Sequence, residues 1–314
     1  MHRFARFWPA WGQIALVFAA AFVLTLILMI PVVVLAAIHL PAGSDEGRIS
    51  ALWNDPLFYY GSTIAQAVGF IAASVLIHRR GGNREWPMGA AEGVHSVAGF
   101  VKGSLLGLLL LLTVLLVMSG SGAVAGFHRT AEFSWGAIGW HALLLGLVTV
   151  NEEVFLQGFT QGVLRHRVGL AASILGPALL FTLMHGLNPG AYGQGGLPLW
   201  NTALFGVLLA LCRERTGSLW MPIGLHGTWY AGQGAVFGFP ISGTPVPSIW
   251  VPELGASPLL SGGSFGAEGS VFVSGLLAIG ILLTLWRRRR VDGVSRPDPA
   301  QPAGQFSQED AGKM

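Results

Sequence analysis

Two adjacent carboxylates, Glu152 and Glu153, sit inside the apolar stretch TVNEEVFLQGF, residues 149–159. Two histidines fall in similar surroundings, His185 in LLFTLMHGLNPG and His226 in GLHGTWYAGQG. Carboxylates and imidazoles in a dry setting can pass protons, hold a water molecule or ligate a metal ion. An ionised carboxylate in lipid costs several kcal/mol, and acids kept in membranes are functional by default. The plainer readings are a helix-end or packing role for the acids and a capping or packing role for each histidine taken alone. His185 could simply cap its helix before GLNP. The case for chemistry rests on two acids and two histidines falling on three separate apolar runs. His141 and His166 add no further site.

The elements that must position these groups follow from composition. Hydrophobic residues make up 52% and charged residues 11% of the 314, whereas a soluble domain carries about 25% charged residues. That balance fits a bilayer, and a chain of this length holds about six to nine spans. A net charge of +3 could suggest nucleic acid. The arginines instead lie in short clusters at the ends of apolar runs, which excludes that partner class. The single cysteine, Cys212, permits no internal disulfide. It falls near an expected membrane edge, where an idle thiol is the better reading than lipidation.

Eight apolar runs are expected to span, at about 13–38, 57–78, 97–119, 136–160, 168–186, 199–211, 217–238 and 269–286. The first follows the basic start MHRFARFW, as in a signal peptide, but its core is long enough to be a retained span. Arg3 and Arg6 precede the first run. Arg79, Arg80 and Arg84 follow the second, Arg165 and Arg167 the fourth, Arg213 and Arg215 the sixth, and Arg287 to Arg290 the eighth. Basic loops thus recur at every second crossing. The positive-inside rule then gives an all-α membrane protein with eight transmembrane helices and both termini cytoplasmic. Trp8, Trp11, Trp53, Trp135, Trp220, Trp250 and Trp286 fall near the expected interfaces. Residues 1–290 read as one polytopic domain with its motif core at about 136–238, and the Pro-rich tail 291–314 as a disordered cytoplasmic segment. No internal repeat of a transporter kind is visible.

Depth along the helices is less uniform. Glu152 lies about 20 Å from Arg165, His226 about 16 Å from Arg215, and His185 about 27 Å from Arg167 if helix begins there. Glu153 and Gln157 are four apart and are expected to share a helix face, with Glu152 pointing about 100° away.

EEVFLQGF, FTLMH and HGTWY resemble, in order, the three motifs of the CAAX-protease and bacteriocin-processing (CPBP, or Abi) family of intramembrane proteases. That family shows Glu-Glu-x-x-x-Arg, Phe-x-x-x-His and His-x-x-x-Asn. The matched positions are Glu152, Glu153, Phe181, His185 and His226, and the likeness covers about 149–234. Gln157 stands where the family has its Arg, and Tyr230 where it has its final Asn. The resemblance implies a hydrolase that cleaves a membrane protein or peptide in an integral membrane setting, here a bacterial inner membrane. In the implied chemistry Glu152 activates a water that His185 also holds, and His226 and Tyr230 stabilise the oxyanion. Glu153 would form a neutral hydrogen-bonded pair with Gln157. A zinc ion on Glu152, His185 and His226 is the metal-dependent variant of the same chemistry. A non-catalytic relative acting as immunity or scaffold protein, and a proton-coupled carrier using the paired acids, are the rival classes.

Overall fold

A computed structural model describes residues 9–39, 47, 51–52, 55–80, 86–89, 94–131 and 134–292. Arg3, Arg6, Trp8, Trp53, Arg84 and the tail from 293 lie outside the described residues, as do the side chains of Arg287 to Arg290. The helices are α1 (Ala10–His39), α2 (Pro56–Arg80), α3 (Val94–Gly120), α4 (Trp135–Arg167), α5 (Leu170–His185), α6 (Gly193–Thr216), α7 (Trp220–Tyr230) and α8 (Val271–Asp292). Each falls on one of the eight expected runs. Five of them, α1, α2, α3, α4 and α6, are long and apolar enough to cross a membrane, and α5 and α8 are shorter apolar helices.

The protein is not wholly helical. β1 (Val124–Arg129) pairs antiparallel with β2 (Trp250–Leu254), with an irregularity in register between Val124 and Gly126. The strands are six and five residues long and carry no strict apolar alternation, so periodicity gives them no signal. α6 is also longer than expected. It includes Gln194, Gly195 and Gly196 in left-handed conformations (φ 47°, 70° and 86°), and the regular helix begins beyond them.

The bundle is apolar outside and encloses a polar cluster within a largely apolar core. Leu105, Leu109 and Leu116 on α3 and Leu282 on α8 stand outward, exposed by 62, 62, 74 and 65%. Glu152, Glu153, Gln157, His185 and His226 are buried. Apolar surface on this scale belongs against lipid rather than water.

The basic helix ends gather at one end of the bundle. Arg165 Nε at the end of α4 donates to Glu214 Oε1 at the end of α6, at 3.0 Å. Arg213 Nη2 donates to the Pro87 carbonyl beyond α2, at 2.8 Å, and Arg215 donates to the Thr284 carbonyl late in α8. Cys212 is buried at this end and offers no surface for a lipid chain.

α7 is held by close contact with α3. A Cβ on Gly103 would lie 2.0 Å from the Met221 carbonyl oxygen, one on Gly107 2.5 Å from that of Leu225, and one on Gly224 2.2 Å from that of Phe100. Small residues on both helices let the backbones touch, the usual route to tight association in lipid, where apolar burial gives no drive. His226 is two residues beyond Gly224, so this seam sets its position. Gly103→Ala is expected to destabilise the protein by about 1–3 kcal/mol, the cost of overpacking. Gly275→Ala, with nothing within 4 Å of its Cβ, should leave the melting temperature unchanged. Thermal melts of both variants in detergent check this.

Candidate active site

α4 does not run as a plain α-helix through the acids. Its α-helical part ends at Glu153, and Val154–Thr160 form a π-helix before α-helix resumes at Gln161. α7 likewise passes into a π-helix, Ala231–Val236, directly after Tyr230. π segments are rare and concentrate at functional sites. They also break the four-residue spacing rule, which holds only for α-helix.

That break corrects one expectation. Glu153 does not pair with Gln157. Its Oε1 lies 2.9 Å from His226 Nδ1, while Glu153 Oε2 and Gln157 Oε1 have no hydrogen-bond partner. An ionised Glu153 accepts from the Nδ1–H of His226, which leaves Nε2 as the other ring nitrogen. That nitrogen faces Glu152 Oε2 at 3.6 Å, and neither atom has a hydrogen-bond partner. A carboxylate oxygen and a bare imidazole nitrogen both accept, so one proton on either makes the contact complementary. The His226 ring is thus bracketed by two carboxylates at 0% exposure, a constellation able to hold and move a proton.

Aromatic rings wall it in. Tyr230 stands edge-to-face on His226 with centroids 4.3 Å apart, and Phe205 and Phe181 stand at 5.3 and 5.7 Å. Phe181 also packs on His185, at 4.4 Å. His185 Nδ1–H donates to the Phe181 carbonyl at 2.7 Å, which leaves Nε2 to the cavity side. The depth mismatch expected for His185 is small. α5 begins at Leu170 rather than Arg167, so His185 lies fifteen residues, about 22 Å, from its helix start.

His185 and Tyr230 line a cavity of about 20 Å³ together with Asn201, Thr202, Ser242 and Glu268, room for about one water. Glu268 has no counterpart in the sequence reading. It sits in the glycine-rich turn SGGSFGAEGS before α8, where Gly266 (φ 115°) lets the turn meet the Pro240 carbonyl. Glu268 Oε1 accepts from Ser242 N–H (2.5 Å) and Oγ–H (2.7 Å), and Oε2 accepts from Gln233 Nε2–H (2.6 Å). A lone acid in an otherwise uncharged apolar loop was the available signal. Distance from the three motifs hid it.

Glu152, His185 and His226, as placed, do not fit a three-ligand metal site. Among the described residues no group of three His, Cys, Asp or Glu side chains converges to hold a metal ion. The Nδ1 atoms of both histidines are taken by protein acceptors.

Residues 134–232 match the family model for type II CAAX prenyl endopeptidase Rce1-like. The segment is Rce1-like. The match agrees with the resemblance carried by the three motifs, and it contains Glu152, Glu153, Gln157, His185, His226 and Tyr230. Glu268 lies beyond the Rce1-like segment. No curated protein and no solved structure matches the chain.

Glu268 also gives the protein a pH dependence. Burial pushes its carboxyl from 4.5 up to about 7, against the Ser242 and Gln233 donors that pull it down. A raised folded-state value favours the protonated form on folding. The stabilisation is full below the unfolded value and is lost as pH rises through about 7. The loss is on the order of 3 kcal/mol. The melting temperature of the wild type should therefore fall between pH 4.5 and 7 more steeply than that of Glu268→Gln. Parallel melting curves against pH for the two proteins would contradict the assignment.

Proposed function

We propose that this protein is an intramembrane endopeptidase of the CAAX-protease type, cutting a membrane protein or membrane-bound peptide by attack of water. The observation that carries the reading is the burial of Glu152, Glu153 and His226 as one cluster inside the Rce1-like segment, with Glu153 hydrogen-bonded to His226 and Glu152 3.6 Å from its other nitrogen. A cluster kept at such cost in an apolar bundle is there for chemistry rather than for stability.

In the proposed reaction Glu152 takes a proton from a water that His185 Nε2 also holds, and the water oxygen attacks the scissile carbonyl carbon. His226, held by Glu153 through Nδ1–H and carrying a second proton on Nε2, and the Tyr230 hydroxyl donate toward the oxygen that becomes negative. Collapse breaks the C–N bond, and the proton held by Glu152 passes to the leaving nitrogen. Glu153 touches no reacting atom in this scheme. It fixes the tautomer and tilt of His226 as a second carboxylate does for a ligating or catalytic histidine. Tyr230 serves in place of the family's Asn because a phenol hydroxyl is also a donor. The contacts support the glutamate-dependent form of the chemistry.

The proposal includes an eight-crossing topology with both termini in the cytoplasm, and a bacterial inner-membrane location. The gathering of Arg165, Arg213 and Arg215 at one end of the bundle supports it. Reporter fusions after Arg84, Arg167 and Arg290 should all read cytoplasmic, and an external signal from any of them would break that topology.

The test of function is cleavage of a membrane-reconstituted peptide library by purified protein. Glu152→Gln should lower the rate by ~10²-fold or more, the scale of a lost general base. Wild type without cleavage under all conditions, or Glu152→Gln at the wild-type rate, would remove the hydrolase reading in favour of a non-catalytic relative.

A further inference from the structure

A second cavity lies at the end of the bundle where the basic helix ends gather. It holds about 450 Å³, and its lining includes Trp86, Pro87, Gln161, Arg165, Arg213 and Glu214. That size is within the ~300–1,000 Å³ of small-ligand pockets. Three chain segments build it: the end of α4, the end of α6 and the stretch 86–89. The stretch is fixed from three sides. Arg213 Nη2 donates to the Pro87 carbonyl at 2.8 Å, and Leu219 N–H donates to the Gly89 carbonyl at 2.8 Å. The Trp86 ring lies against Gly162, where a Cβ would come 2.3 Å from its Cε3. The cleft is therefore formed in advance of any ligand.

The protein alone does not pair all the polar groups of this cleft. Glu214 Oε1 accepts from Arg165 Nε at 3.0 Å. One glutamate thus meets two arginines, and Arg167 and Arg215 follow on the same helices. Arg165 is half exposed, and its Nη groups take no protein acceptor among the described residues. The same holds for Arg213 Nη1. Behind them Trp86 Nε1, Arg213 Nε and Gln161 Oε1 are buried without a hydrogen-bond partner, while Gln161 Nε2 donates to the Ala210 carbonyl at 2.9 Å. Buried polar groups of this kind call for a partner from outside the chain. Two guanidinium forks in excess positive charge suit a tetrahedral oxyanion.

We propose that this cleft binds the phosphate group of an anionic ligand, with Arg165 and Arg213 as its donors. A phospholipid headgroup and free phosphate share that chemistry, and the position favours the headgroup. The cleft lies where α4 and α6 end in arginines, and basic pockets between membrane helices hold lipid headgroups. It is not a subsite for the cleaved peptide. Arg165 is thirteen residues, roughly 20 Å, from Glu152 along α4, a span of about six extended residues. The ligand acts on the fold instead, tying the ends of α4 and α6 to the stretch 86–89. Met88 of that stretch packs over Gly158, where a Cβ would lie 3.4 Å from Met88 Cε, inside the π-helix that follows the acids. The proposal involves no hydrolytic step and stands apart from that reading.

The experiment is thermal melting of the purified full-length protein in detergent, with native mass spectrometry of retained ligand. The probes are dioleoylphosphatidylglycerol, dioleoylglycerol (the same tails without phosphate), and inorganic phosphate against chloride at equal ionic strength. Phosphatidylglycerol should raise the wild-type Tm by about 3 °C or more, and dioleoylglycerol by less than about 1 °C. Arg165→Gln and Arg213→Gln should each weaken the affinity about tenfold or more, the scale of a lost charged hydrogen bond. Arg80→Gln, at an exposed position at the end of α2 that does not line the cleft, should keep the wild-type shift. Arg213 also holds Pro87, so the quantity read is each variant's ligand-induced shift rather than its Tm, and Arg165→Gln decides if Arg213→Gln fails to fold. An equal shift from inorganic phosphate, lost in both variants, supports the site with free phosphate as its ligand. Equal shifts from the two lipids, or a phosphatidylglycerol shift kept in both variants, would overturn the proposal. No shift and no retained ligand with either phosphate probe would overturn it too.

Discussion

One buried ring governs the structure. His226 has Glu153 on one nitrogen at 2.9 Å and Glu152 on the other side at 3.6 Å, with no exposed surface. Breaking a buried pair of this kind costs about 3–5 kcal/mol, because the survivor is left without a partner. In a bundle whose outer face is leucine and isoleucine, no water at the rim relieves that cost. The rest of the fold follows from the need to keep this ring in place. Gly103, Gly107 and Gly224 bring α3 and α7 into backbone contact and fix the height of His226. The α-helical part of α4 ends at the two acids, and a π-helix follows them. Phe181, Phe205 and Tyr230 close around its faces.

Much of this was legible before any coordinates. Eight helices fall on the eight apolar runs, and five of them are long and apolar enough to cross a bilayer. The arginines at the ends of α4 and α6 read correctly as helix-end groups, and there they meet Glu214 and the Pro87 and Thr284 carbonyls. Glu152 and His226 stood out because an acid and an imidazole are costly in apolar surroundings. The partner of Glu153 was not legible. The four-residue rule assumes α-helix, and no local sequence rule announces that Val154–Thr160 winds more widely. The β1–β2 pair was hidden for a different reason. Its strands are short and join segments more than a hundred residues apart, so no hairpin signal links them. Glu268 was visible as a lone acid among glycines, but only the folded chain brings it to His185 and Tyr230.

The two halves of the site have different characters. Glu152, Glu153 and His226 form a dry proton-holding cluster. His185, Tyr230 and Glu268 surround a space for about one small molecule. The shared aromatic wall, with Phe181 in contact with both histidines, couples the two at ring distances of 4.4 and 5.7 Å. A hydrolase needs both parts, one to handle protons and one to receive reacting atoms. Glu153 has His226, not Gln157, for its partner in this arrangement.

The measurement that bears most directly on the account is a double-mutant cycle between Glu153 and His226, read by equilibrium unfolding in detergent for Glu153→Gln, His226→Gln and the double variant. A hydrogen-bonded buried pair predicts strong non-additivity, with the double variant destabilised by less than the sum of the two single ones and a coupling of about 1–3 kcal/mol. Additive losses would contradict the pairing and, with it, the claim that Glu153 holds His226 in place for the chemistry.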